Sequence, residues 1–233
     1  MKLLLTSAGI TNNSIAQALR DLLGKPTNES KIVIVPTGQN PEPGDKGWVI
    51  DEDLLGPYKL GWKELNIIDL AAVASLDTSL WWPQFEEADV LLFGGGNCFY
   101  LSYWLQKSGV YDAMPKWLET KLYIGISAGS MVATESLRTD SLAIEKLGVM
   151  RLEEYGDLGP NGQSSQKTLM LVDFAFRPHL NSPEFPKARA DVIEKIVPKL
   201  DVPLYALDDQ SALKVVDGNV EVISEGKWLL FDK

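Results

Sequence analysis

Lys121-Leu122-Tyr123-Ile124-Gly125-Ile126-Ser127-Ala128-Gly129-Ser130 is the stretch on which the reading of this chain turns. The apolar run before Ser127 has the character of a buried strand, and Met131-Val132-Ala133 after it continues as a helix. A serine between two glycines, set between strand and helix, is the Gly-x-Ser-x-Gly pattern of a strained nucleophile elbow. The glycines matter because the turn is tight and leaves no room for side chains beside the serine.

Outward from this stretch, short apolar runs alternate with helical patterns. Strands are expected at Lys2–Thr6, Lys31–Val35, Glu64–Ile68, Val90–Phe93 and Lys121–Ile126. Helices are expected between them at Ser14–Leu23, Val49–Leu60, Leu80–Glu87, Cys98–Lys107 and Tyr111–Glu119. Unbroken apolar strands separated by helices imply an α/β fold, a mostly parallel, doubly wound sheet covered on both faces. Three strands end in turn chemistry, at Ser7-Ala8-Gly9, Pro36-Thr37-Gly38 and Gly94-Gly95-Gly96-Asn97, and another ends at Ser127. The carboxyl ends of such strands share one edge, where ligands bind. Ser127 and the triple glycine are therefore expected to face one cleft.

The last third is richer in β structure. Ser141–Leu147, Thr168–Phe174, Leu204–Ala206, Ala212–Val216, Val220–Ile223 and Lys227–Phe231 read as strands, with Asp217-Gly218 as a hairpin turn. Glu184–Ile196 reads as a helix stopped by Pro198, and Glu153–Gln166 as a polar loop. With no repeats and no linker, the expectation is one domain over residues 1–233.

Composition narrows the function. The 233 residues carry a net charge of −10, which argues against binding a phosphate backbone. No apolar stretch is long enough to span a bilayer, and the Met1–Leu5 run is too short for a leader peptide. One cysteine allows no internal disulfide, so a reducing, cytoplasmic setting is expected. One histidine and one cysteine form no metal-ligand cluster, and neither a metal nor another cofactor is expected. Neither a nucleic acid nor a membrane is expected as a partner, and the oligomeric state, a homodimer included, stays open.

A single imidazole allows only one Ser-His or Cys-His pair. His179 sits in Arg177-Pro178-His179-Leu180-Asn181-Ser182, where Pro178 and Pro183 stiffen a polar loop. Neutral imidazole suits a general base near neutral pH. Ser127 is the expected nucleophile; Ser130 lies a turn into the helix, and nothing around Cys98 resembles an elbow. Asp209, Asp208 and Asp173 are all candidates to orient the imidazole. The chain order Ser, His, Asp differs from the Ser, acid, His order of α/β-hydrolases, so another fold is expected to host these roles. Ala128 and Gly95 or Gly96 are the expected N–H donors to an oxyanion. Asn97 reads as a helix cap and as a candidate substrate contact. An amidase or esterase of the same fold, or a binding protein that keeps only the scaffold, are the alternative readings.

Four pieces in order, Phe93–Asn97, Ile124–Ser130, Pro178–Ser182 and Leu207–Asp209, resemble peptidase family S51, the peptidase E and cyanophycinase group. The resemblance implies a flavodoxin-like, class I glutamine-amidotransferase-like sheet. It also implies a serine peptidase with Ser127 as nucleophile and His179 as base. Asp209 stands at the position of the family's acid, which is often Glu. In the aspartyl dipeptidases of the family an Arg on the helix after the histidine recognises an N-terminal Asp. Arg189 falls near that place, with Arg177 as the second candidate.

Overall fold

A computed structural model describes residues 1–139 and 162–232. Five parallel strands form the centre: β1 (Lys2–Thr6), β2 (Lys31–Val35), β3 (Glu64–Ile67), β4 (Val90–Phe93) and β5 (Leu122–Ile126). Their spatial order is β3-β2-β4-β5-β1. Beyond β1 the sheet is extended by β8 (Ser211–Val216) and β9 (Asn219–Ser224), both in antiparallel pairings. A second sheet has the order β10-β7-β6, with β6 at Ala175–Arg177, β7 at Leu204–Leu207 and β10 at Trp228–Phe231. The α/β class and the mostly parallel central sheet agree with the sequence reading.

The central strands read as unbroken apolar runs because both faces are covered. Side chains alternate across a strand, so neighbouring residues enter different cores. Leu3, Leu5, Val33, Val35, Leu91 and Phe93 pack with Phe85, Leu101, Leu105 and Met114. Leu4, Ile32, Ile34, Leu92 and Ile124 pack on the other side with Ile15, Ala18, Leu19 and Leu22. All of these are buried, and each large one contributes roughly 1.5–3 kcal/mol of transfer free energy. The second core belongs to helix α1 (Asn13–Leu23). Asn12 caps α1 by accepting the Ile15 N–H, and Gly24 ends it at φ 72°.

Three elements depart from the sequence reading. Val49–Leu60 is not one α-helix. A π-helical stretch over Val49–Leu55 runs on into a short α-helical segment at Gly56–Tyr58, where Pro57 has no N–H to donate back into the ladder. Thr168–Phe174 is not a strand. The Leu169 and Leu171 N–H groups donate to Val132 and Ala133 carbonyls at 2.7 and 2.9 Å, and the strand β6 begins only at Ala175. Glu184–Ile196 is helical only from Ala190, after a 3-10 turn at Pro186–Ala188. Pro186 disfavours the α region for Phe185, which leaves Glu184 and Phe185 outside any helix. The expected strand Ser141–Leu147 and residues 153–161 of the expected loop Glu153–Gln166 lie outside the described residues.

Candidate active site

Ser127 ends β5 with φ 47° and ψ −105°, a conformation that L-residues rarely occupy. The turn is held on both sides. The Ser127 N–H donates to the Thr6 carbonyl at 3.1 Å, and the Gly129 N–H to the Gly94 carbonyl at 3.1 Å. A Cβ on Gly125 would lie 2.5 Å from the Ser130 nitrogen, and one on Gly129 would lie 1.9 Å from the Phe93 carbonyl oxygen. Both glycines are therefore required by close backbone approach. Ser130 is buried and donates to the Thr6 carbonyl, so its hydroxyl is committed elsewhere.

His179 follows β6 and Asp209 follows β7, neighbouring parallel strands of the second sheet. Ser127 Oγ is 2.9 Å from His179 Nε2, and His179 Nδ1 is 2.6 Å from Asp209 Oδ1. The three residues thus form one hydrogen-bonded line. Ser7, at the end of β1, ties it to the central sheet. Its hydroxyl accepts the His179 backbone N–H at 2.7 Å and donates to Asp209 Oδ1 at 2.9 Å. His179 has φ 61°, and its ring stacks on Phe185 at 4.0 Å between centroids. Burial pushes the Asp209 carboxyl up, but the hydrogen bonds from His179 and Ser7 and the attraction of His179 outweigh it. It stays below the ordinary carboxylate range. Of the alternative acids, Asp208 turns back to accept from Ser211 Oγ and the Gln210 N–H. Asp173 makes no hydrogen bond with His179.

A cavity of about 210 Å³ opens beside Ser127, lined by Trp48, Glu52, Gly95, Gly96, His179, Glu184, Phe185 and Asp209, with Glu42 and Pro43 at one side. Among the described residues no lysine or arginine lines it. Arg189 is exposed and bonds Asp191 at 2.8 Å. Arg177 is buried and donates to the Thr139 carbonyl at 2.7 Å. Asn97 caps the helix Cys98–Lys107 by accepting the Tyr100 N–H, and Cys98 is buried within that helix. The structure therefore keeps these side chains out of the cavity lining. Of the amide donors expected for an oxyanion, the Gly95 N–H is already occupied. It donates to both carboxylate oxygens of Asp53, at 3.2 and 3.1 Å. The Gly96 and Ala128 N–H groups have no protein acceptor among the described residues.

Over residues 3–223 the sequence matches the model of peptidase family S51. The chain belongs to family S51. Two curated proteins named Peptidase E are similar to it. The one from Streptomyces coelicolor is 30% identical over 138 residues, 57% of this chain and 51% of that protein. The one from Nostoc is 26% identical over 154 residues, 63% of this chain and 57% of that protein. The chain spans about half the length of the curated relatives it matches. A structure described as a putative Peptidase E from Listeria monocytogenes superposes with a TM-score of 0.71 at 19% identity, covering 97% of this chain and 98% of that one. A peptidase from an acI-B1 Actinobacterium superposes at 0.63 with 18% identity, covering 99% and 93%. These likenesses establish the fold. No described helix of this S51 chain is long and apolar enough to cross a membrane.

Asp53, Glu52 and Ser7 were not singled out from the sequence. The local signal for the first two is slight: two acids within the helical pattern, shortly ahead of Gly56-Pro57. Burial pushes the Asp53 carboxyl up to about 7, against the pull of the Gly95 N–H. Burial, then repulsion from Asp53, Asp209, Glu184 and Asp51, pushes Glu52 to about 7. The unfolded chain releases the Glu52 proton near the ordinary value of 4.5, whereas the folded chain holds it to about 7. Glu52 therefore costs stability as pH rises through that window, and the full cost is present above it. Glu52→Gln is expected to stabilise the fold relative to the parent by an amount that grows from pH 4.5 to pH 7. After allowance for partial solvent screening the gain is roughly 1–2 kcal/mol, read as the pH-dependent difference in melting temperature.

Proposed function

We propose that this chain is a serine peptidase that hydrolyses small peptides through an acyl-enzyme. The observation that carries the reading is the unbroken line from Ser127 Oγ through the imidazole of His179 to Asp209, with the hydroxyl opening on a cavity. In this reading His179 Nε2 takes the Ser127 proton as Oγ attacks the scissile carbonyl. Asp209 holds the Nδ1–H tautomer and stabilises the imidazolium that forms. The imidazolium then protonates the leaving amine, and a water activated by the neutral imidazole releases the acid. Gly96 and Ala128 supply N–H groups to the tetrahedral oxyanion.

The cavity also bears on which peptide is cleaved. The Asp-Xaa dipeptides implied by the family resemblance call for a cation opposite the aspartate side chain. The described lining instead offers Glu184, and Glu52 once it ionises above about pH 7, which attract an ammonium and repel a carboxylate. We therefore read the substrate as a small peptide with a neutral or basic first residue, its positive charge facing these glutamates. The test is a panel of Asp-Xaa, Ala-Xaa, Leu-Xaa and Lys-Xaa dipeptides, followed by release of free amino acids. Turnover is expected, with kcat/KM for Asp-Xaa about 5- to 30-fold below that for Lys-Xaa, as a repulsion of about 1–2 kcal/mol requires. Glu184→Gln is expected to narrow the gap. Preferred cleavage of Asp-Xaa would overturn the charge argument alone, and failure to cleave any member would count against the peptidase reading.

A further inference from the structure

Asp53 is fully buried, forms no ion pair among the described residues, and has no step in the chemistry above. Burying a carboxylate in this way is costly, and an apolar side chain would fill the space without that cost. Its sole described hydrogen-bond donor is the Gly95 N–H, which both of its oxygens approach.

The amides of the Gly94–Asn97 turn explain what that bond accomplishes. Each buried N–H needs an acceptor, so the four form a complete account. Gly94 donates to the Val35 carbonyl at 3.0 Å, Gly95 to Asp53, and Asn97 to the Gly38 carbonyl at 2.8 Å. Gly96 is left over, and it lines the cavity with Ser127. Ala128, the first residue of the helix after Ser127, also keeps its N–H unpaired among the described residues.

The glycines fit the same arrangement. A Cβ on Gly94 would lie 2.2 Å from Asp53 Oδ2, and its three nearest atoms all belong to that carboxylate. A Cβ on Gly96, where φ is 108°, would lie 2.3 Å from the Gly38 carbonyl oxygen. Gly94 thus makes room for Asp53, and Gly96 lets the turn close on Gly38. A Cβ on Gly95 would be 3.7 Å from Ser127 Cβ, so the turn lies directly against the nucleophile.

We propose that Asp53 is the positioning residue of the oxyanion site. By accepting the Gly95 N–H it sets the orientation of the Gly94–Asn97 turn, so that the N–H groups of Gly96 and Ala128 remain for the acyl oxygen. Asp53 touches no reacting atom and acts through the backbone. The inference rests on the serine-hydrolase reading of Ser127.

The test compares Asp53→Ala, Asp53→Asn, Gly94→Ala and the Asp53→Ala/Gly94→Ala pair. Steady-state kinetics are measured on the best dipeptide, fluorophosphonate labelling rates are measured at Ser127, and folding is checked by thermal melts. Asp53→Ala is expected to lower kcat by about 10- to 100-fold with KM within about threefold, because an oxyanion donor loses its placement rather than the substrate its binding. Labelling should slow by a similar factor. Asp53→Asn, whose amide oxygen still accepts the Gly95 N–H, should stay within about threefold of the parent. Gly94→Ala should match Asp53→Ala, and the pair should be no worse than Asp53→Ala alone, since both changes break one contact.

A folded Asp53→Ala enzyme with the parent's kcat overturns the proposal, as does an Asp53→Asn enzyme that falls as far as Asp53→Ala. If Asp53→Ala does not fold, an active Asp53→Asn enzyme beside an impaired Gly94→Ala enzyme supports the proposal. An unimpaired Gly94→Ala enzyme overturns it. Ser127→Ala separates the two readings: turnover that survives in it defeats the hydrolase reading itself, whereas loss in Ser127→Ala with full activity in Asp53→Ala defeats only the role of Asp53.

Discussion

Ser127→Ala is expected to lower kcat by about 10⁴-fold or more on every dipeptide the parent cleaves, and His179→Ala by a comparable factor. The hydroxyl and the imidazole are 2.9 Å apart and act on one proton, so neither is of use alone. The double variant should therefore be about as active as either single one, where independent contributions would multiply. What survives should be the modest rate that oxyanion donors and substrate binding supply without a nucleophile. Ser127→Ala should fold, because its turn is held by backbone hydrogen bonds and by Gly125 and Gly129, none of which needs the hydroxyl. Turnover is measured by amino-acid release, and folding by melting temperature. Rates in the two single variants that multiply in the double would show that Ser127 and His179 do not work as a unit.

Asp209→Asn is expected to cost about 10³- to 10⁴-fold in kcat with little change in KM. The isosteric amide fits the same space, so the loss is electronic and tautomeric. A carboxylate accepts from Nδ1 and leaves Nε2 free to take a proton. An amide NH2 facing Nδ1 instead places the proton on Nε2, where it meets Ser127. Two further features make Asp209 sensitive. It accepts from Ser7 as well as His179, and these bonds keep it ionised against the cost of burial. Asp208→Asn should leave kcat within about threefold, because that side chain accepts from Ser211 Oγ and from the Gln210 and Lys227 N–H groups and makes no bond to the imidazole. The comparison is made by steady-state kinetics on one dipeptide. Equal losses in the two variants would remove Asp209 from the orienting role.

Much of the fold was legible because its signals are local. Apolar runs such as Leu3–Leu5 and Ile32–Val35 could only be buried strands, and the helical stretches between them required parallel pairing. The elbow was legible for the same reason: Gly125, Ser127 and Gly129 carry their own geometry within five residues. His179 needed only its solitude. Where the reading failed, a competing contact had won. The Leu169 and Leu171 amides found acceptors at the end of the Ser127 helix, so the apolar run there did not become a strand. Pro186 kept Phe185 out of the helix and against the imidazole, and π-helical winding over Val49–Leu55 brought Asp53 under the triple glycine.

The sequence by itself determined the sheet class, the strained serine and the one imidazole able to serve it, since each depends on residues close together in the chain or on composition. Tertiary structure alone decided which acid meets that imidazole, which amide faces the cleft and what charge lines it. Ser7 reaches His179 across 172 positions, and Gly95 reaches Asp53 across 42. Such pairings follow from how strands order in space, and no local propensity encodes them. For the same reason Arg189, plausible beside the substrate from its place after His179, bonds the neighbouring Asp191 on an exposed turn instead.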